Sequence, residues 1–148
     1  MTIAKMAVPA AKAVLRQATA LRPNRNKASD GLLPSLAHQK QSPSSDHNTG
    51  FAVDLTHDIA NGIDCFDIYE RLKSDKRVKY VIFHGKIWST QHGDSRYTGI
   101  NSHNHHLHIS IKETCGNDVS PWFPWLGKAS LVNKVKAKVK PLPKKEAK

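Results

Sequence analysis

The sequence predicts an α+β domain in which a small antiparallel sheet is flanked by helices. Three observations carry that prediction. Residues 10 to 21, AKAVLRQATALR, and 64 to 75, DCFDIYERLKSD, space their apolar side chains as helices do. The stretches FAVDL at 51–55 and HLHISIK at 106–112 alternate apolar and polar residues in the manner of half-buried strands. VKYVIF at 78–83, rich in β-branched and aromatic residues, meets KIWS across a glycine-containing turn, which is the pattern of a hairpin and so of antiparallel pairing.

The elements follow in order along the chain. The first helix, over about 10–21, stops before Pro23, where the missing N–H and the fixed φ end it. The next stretch, PNRNKASDGLLPSLAHQKQSPSSDHNTG, is dense in Pro, Ser, Asn and Gly and predicts a long irregular loop over about 23–50. Loops of this length inside a compact domain usually carry function or are disordered. In the strand that follows, Phe51, Val53 and Leu55 turn one way while Ala52, Asp54 and Thr56 turn the other. The second helix has an aspartate at its start to cap it and sets Phe66, Ile68, Tyr69 and Leu72 close to one face. In the last strand Leu107, Ile109 and Ile111 form a row for the core, and His106, His108 and Ser110 share the opposite face.

Length and composition bound the function classes. A chain of 148 residues holds about one domain, and 39% apolar with 24% charged residues suits a globular one. No apolar run approaches the ~20 residues that cross a bilayer. Lys5, Lys12 and Arg16 interrupt what would be the hydrophobic stretch of a secretory signal, so none is expected. Cys65 and Cys115 form no disulfide framework and lack zinc-finger spacing, and they read as ordinary buried or half-buried thiols. The net charge of +11 predicts an anionic partner. From Lys128 onward eight lysines stand against one glutamate, so this end supplies +7 of that charge. The chain is accordingly divided into a domain over 1–127 and a basic, flexible tail over 128–148.

The chemistry is concentrated in HNHHLHIS, residues 103–110, where four of the nine histidines fall within six positions. An adventitious histidine tract has no reason to carry a core-facing apolar row; this one does. His106 and His108 therefore stand side by side on the outer face, fit for one metal ligand and one neighbour beside the bound water. Upstream, SDHNTGFAVDL holds a loop histidine, His47, and an aspartate, Asp54, in an otherwise apolar strand. A carboxylate so placed is costly unless a cation or another partner meets it. Ligands of His, His and Asp type with water in the fourth position describe a catalytic zinc site rather than a structural one. Of the other histidines, His57 either orients a ligand from behind or caps the next segment, and His84 and His92 lie in turns with no assigned role. Asn104 between two histidines does not make an HNH nuclease, whose residues are scattered through a ββα unit.

His47, six residues and then Asp54, followed by a later His-x-His at His106 and His108, resembles the zinc signature of the D-Ala-D-Ala metallopeptidases and their murein endopeptidase relatives. The wider text, SDHNTGFAVDLTHD, VKYVIFHGKIWS and SRYTGINSHNHHLHISI, is similar to zinc peptidase domains of bacteriophage endolysins, over roughly residues 29–112. The resemblance implies that His47, Asp54 and His108 bind Zn²⁺. It implies that His106 is an active-site base or transition-state stabiliser, with His103 as the additional active-site histidine of the endopeptidase variant. Where the D-Ala-D-Ala branch carries a carboxylate as base, this chain has His105, which favours histidine in that role. Arg96, Tyr97 and His38 are candidates to stabilise the oxyanion, Arg96 foremost.

Two functions from different classes follow. The first is a monomeric zinc peptidase cutting the stem or cross-link of bacterial peptidoglycan as a phage lysin. It would be stored in the host cytoplasm and released to the wall, with the basic tail on anionic wall or outer-membrane polymers. The second is a basic nucleic-acid-binding protein whose histidines hold metal structurally. Against the second, the charge is concentrated in the tail and no nucleic-acid motif is present, so no specific nucleic acid is expected.

Overall fold

The computed structural model describes residues 6–33, 45–99 and 102–127. His38 and the lysine-rich segment 128–148 lie outside them. The described residues form an α+β fold of two helices and one five-stranded sheet: α1 (Pro9–Leu21), β1 (Ala52–Thr56), α2 (Cys65–Leu72), β2 (Val78–Phe83), β3 (Lys86–Ser89), β4 (Gly93–Arg96) and β5 (His106–Ile111). Strand order is β1-β5-β2-β3-β4, with every neighbouring pair antiparallel. β5 is thus inserted between β1 and β2, and the histidine strand lies inside the sheet. Among the described residues no helix is long and apolar enough to cross a membrane.

Alternation along β1 and β5 sorts the two faces. Val53, Leu55, Leu107, Ile109 and Ile111 point to one side with Val78, Val81 and Phe83 of β2, all nearly inaccessible. Both helices cover that side. α1 approaches closely because its buried positions are small: Ala10, Ala11, Ala13, Val14 and Ala18. α2 contributes Cys65, Ile68, Tyr69 and Leu72, the i, i+3, i+4, i+7 stripe. Phe66, expected in that stripe, is half exposed and instead sets its ring edgewise on His57, Phe83 and His84. Asp64 caps α2, accepting from the backbone N–H of Phe66 and Asp67 at 3.0 and 3.3 Å. The Nδ1 of His57 accepts from the N–H of Cys65 at 3.0 Å, so the capping role for His57 is the one found.

One strand escaped the sequence pattern. β4, GDSR, has no apolar alternation and joins the sheet through its backbone ladder with β3. The turn between β2 and β3 places His84 and Gly85 both at positive φ, 52° and 77°, the backbone a two-residue hairpin needs. Trp122 and Phe123 complete the core from the C-terminal segment. Arg77 anchors that segment: its guanidinium lies 3.6 Å from the Trp122 ring centre and donates to the carbonyls of Asp118, Ser120 and Pro121 and to both Asp75 oxygens. With the side chain only 4% exposed, removing it strands a half-buried carboxylate and three carbonyls. Arg77→Ala is expected to cost about 3–5 kcal/mol, seen as a lower urea midpoint at unchanged slope. A midpoint equal to wild type would refute the anchoring role.

Candidate metal centre

The sheet face away from the helices carries the site. Register places Asp54 of β1 directly opposite His108 of β5, Thr56 opposite His106, and Ala52 opposite Ser110. A single antiparallel pair therefore sets the carboxylate and both imidazoles on one face. The third histidine comes from the 3-10 turn Asp46–Thr49, which begins when the Ser45 hydroxyl accepts from the N–H of His47. Gly50 then reverses the chain at φ 82° and delivers it into β1.

Distances around Asp54 are short. His47 Nε2 lies 3.1 Å and His108 Nδ1 3.3 Å from the same oxygen, Oδ1, while His106 Nε2 lies 3.6 Å from Oδ2. The outer nitrogens of two of these rings are already committed. His47 Nδ1 donates to the Leu32 carbonyl at 2.9 Å, and His108 Nε2 meets the Ser110 hydroxyl at 2.8 Å. Since a carbonyl only accepts, the His47 proton is on Nδ1, and Nε2 turns its lone pair towards a carboxylate. Two lone pairs 3.1 Å apart require a proton or a metal ion between them. His47, Asp54 and His108 form a group able to hold a metal ion, their ligand atoms all within 4.8 Å of one another. The edge of a tetrahedron with zinc-like bonds of 2.0–2.1 Å is about 3.3 Å, so two of the three ligand separations already match. The residues fit a metal of that size.

Burial is graded across the centre. The side chains of His47 and His108 are 6% and 4% exposed, whereas Asp54 and His106 are 18% and 15% exposed, so solvent approaches from the Oδ2 side. Tyr80 stacks on the His108 ring at 5.4 Å and nearly parallel. Its phenol stays protonated, pushed up to about 12, chiefly by burial. The Tyr97 ring lies edge-on to His103, and His103 in turn to His106 and His108, with centroids 5.4, 4.9 and 5.5 Å apart. Asp54, His103 and His106 make a second group whose ligand atoms converge.

The loop beneath the site is tied by residues that sequence reasoning missed. Arg25, almost fully buried, donates to both oxygens of Asp30 at 3.0 and 2.6 Å. Asp30 also accepts from the N–H and hydroxyl of Thr56. Gly31 then exchanges both backbone hydrogen bonds with Asp54, covering the free edge of β1 and bringing the Leu32 carbonyl to His47. The structure thus joins His47, Asp54, His103, His106 and His108. Arg96 is exposed at the end of β4, and its neighbour Tyr97 is the residue whose ring reaches His103. His105 is exposed, with its backbone carbonyl accepting from the N–H of His57.

Electrostatics divide the histidines. For Asp54, burial works against ionisation, but hydrogen bonds and charge from His108 and His47 prevail and hold the carboxyl far below its usual 3.8. For His47, burial lowers the pKa, yet the Asp54 hydrogen bond and charge with the Leu32 carbonyl raise it above 6.5 overall. For His106, burial dominates and the value falls below 6.5, with Asp54 offsetting only part. In metal-free protein, imidazole proton resonances should show His106 titrating below pH 6.5 and His47 above it; the reverse order would refute this polarity. The linked stabilities oppose one another. His47 stabilises below 6.5 and loses that as pH rises through its folded value, while His106 stabilises above 6.5 and loses it as pH falls. Asp54 stabilises above 3.8 and loses it as pH falls through its depressed value.

No family model, curated protein or solved structure matches the chain.

Proposed function

We propose that this protein is a zinc peptidase that hydrolyses an amide bond in the stem peptide or cross-link of bacterial peptidoglycan, in the manner of phage endolysins. The observation that carries the reading is the convergence of His47, Asp54 and His108 with two further imidazoles on their solvent-facing side. The resemblance of the His47, Asp54 and His-x-His text to the D-Ala-D-Ala metallopeptidases supplies the substrate class. A purely structural metal would be enclosed by four protein ligands; here three converge and one flank is accessible.

His47, Asp54 and His108 would hold the ion. When bound, zinc supplies a Lewis acid that polarises the scissile carbonyl and acidifies a water. The chain's own groups do the rest. His106, kept neutral by burial, accepts the proton of the attacking water at Nε2 and returns it to the leaving amine. His103, held edge-on to His106, orients that ring. Tyr97, whose ring lies edge-on to His103, and Arg96, its neighbour in the chain, are the candidates for the oxyanion role. Tyr80 against His108 and the Leu32 carbonyl on His47 fix the ligand rings and keep water from their inner edges.

The test uses purified peptidoglycan of several cross-link types. Zinc-loaded protein should release fragments bearing a new amino and a new carboxyl terminus, identified by mass. A chelator should stop the release and added zinc restore it. Intact murein of every type after prolonged incubation with zinc-loaded, folded protein would end the proposal.

A further inference from the structure

The Asp54 carboxylate is shared between two sets of imidazoles. Oδ1 faces His47 and His108; Oδ2 faces His106, whose ring packs against His103. Each set, with Asp54, offers three ligand atoms within 4.8 Å of one another. A carboxylate whose two oxygens face different imidazoles is the bridging geometry of two-metal centres, where ions sit ~3.5–4 Å apart.

We infer that Asp54 Oδ2, His106 and His103 form a second, weaker divalent-cation site, and that filling it switches the centre off. The switching half rests on the peptidase reading; the binding half rests on the cluster alone.

His103 is placed for this at some conformational cost. Its φ of 60° lies in the left-handed region that a β-carbon disfavours. The backbone holds it there: the His103 carbonyl accepts from the N–H of His84 at 2.9 Å, and the Ser102 carbonyl from Gly85 at 2.9 Å. The strained hairpin turn and the strained histidine thus brace each other, and the ring is aimed at His106. The second site must bind less tightly for two reasons. One anionic group serves both ions, so the later ion meets the charge of the first. His106 and Asp54 are also its more exposed members, where water competes. Occupation inhibits because an imidazole nitrogen has one lone pair. An ion on His106 Nε2 leaves none to accept a proton.

Calorimetric titration of the metal-free full chain with zinc alone should resolve two events, with one ion bound tightly and a second at higher concentration. Crystals soaked at stoichiometric and at excess zinc should show one and then two anomalous peaks, the second bonded to His103 and His106. His103→Ala should retain the tight event and lose the weak one; His103→Gln serves if the alanine variant fails to fold. Murein hydrolysis by wild type should rise to one equivalent and fall about tenfold or more in excess zinc. One ion per chain at every concentration, or a second ion bonded elsewhere, would overturn the site. Two ions with undiminished hydrolysis would overturn the inhibition. Two ions at these ligands with no hydrolysis under any condition would sink the peptidase reading and leave the second site standing.

Discussion

Asp54→Ala is expected to empty the metal centre and to reduce murein hydrolysis to background. Asp54 is the one charged ligand of the set, and His47 and His108 both turn towards its Oδ1. A protein zinc site is worth ~10–16 kcal/mol in apparent binding free energy, so one ligand in four carries about 3 kcal/mol, or about 10²-fold in affinity. Losing the negative charge adds to that, because two neutral imidazoles are left to neutralise a dication. The variant should still fold in metal-free form. Its core row, Val53, Leu55, Leu107, Ile109 and Ile111, faces the other side, so the substitution leaves the packing of the interior intact. Asp54→Asn, which keeps the shape and one acceptor, should lose the metal nearly as completely. The checks are zinc content after dialysis, circular dichroism and fragment release. Either variant folded, with wild-type zinc affinity, would refute the role of Asp54.

His106→Ala is expected to keep the tight ion and lose turnover by about 10²–10⁴-fold. Its Nε2 faces Oδ2, not the oxygen shared by His47 and His108, and its side chain is the accessible one of the strand pair. A base must be unprotonated, and burial lowers the His106 pKa beneath 6.5. The acid limb of kcat/KM should therefore lie below pH 6.5 in wild type and disappear from the residual activity of the variant. Metal loss in His106→Ala equal to that in His108→Ala would overturn the division between ligand and base.

How much of this was legible in the sequence differs from element to element, for physical reasons. HLHISI announced both its strand and its two faces, because an apolar row and a polar row at period two fit a pleated strand and no helix. α1 and the β2–β3 hairpin were readable for similar reasons. β4 was not, since GDSR joins an exposed outer position through main-chain bonds alone. Phe66 was misplaced because two helical faces near residues 65 to 72 carry bulky groups; the smaller Cys65 is the one that faces the sheet. At the site, Asp54 was visible as a carboxylate out of place, and His47 only through its spacing from Asp54. The anchor of Arg25, Asp30 and Thr56 gave no signal. An Arg and an Asp five residues apart in a polar loop look like ordinary solvated charges, and only burial distinguishes them. Gly31 gave none either, since its part is a backbone bridge to Asp54.

In β5, even-numbered residues hold the chemistry and odd-numbered ones the core. A slip of one position during folding would send both histidines into the hydrophobic interior and three aliphatic groups out to water, so a misregistered chain has neither a stable interior nor a place for zinc. Ion uptake during refolding consequently reports alignment of the strand. For the same reason, the reactive surface can be remodelled by substitution at even positions while the odd ones keep the domain intact.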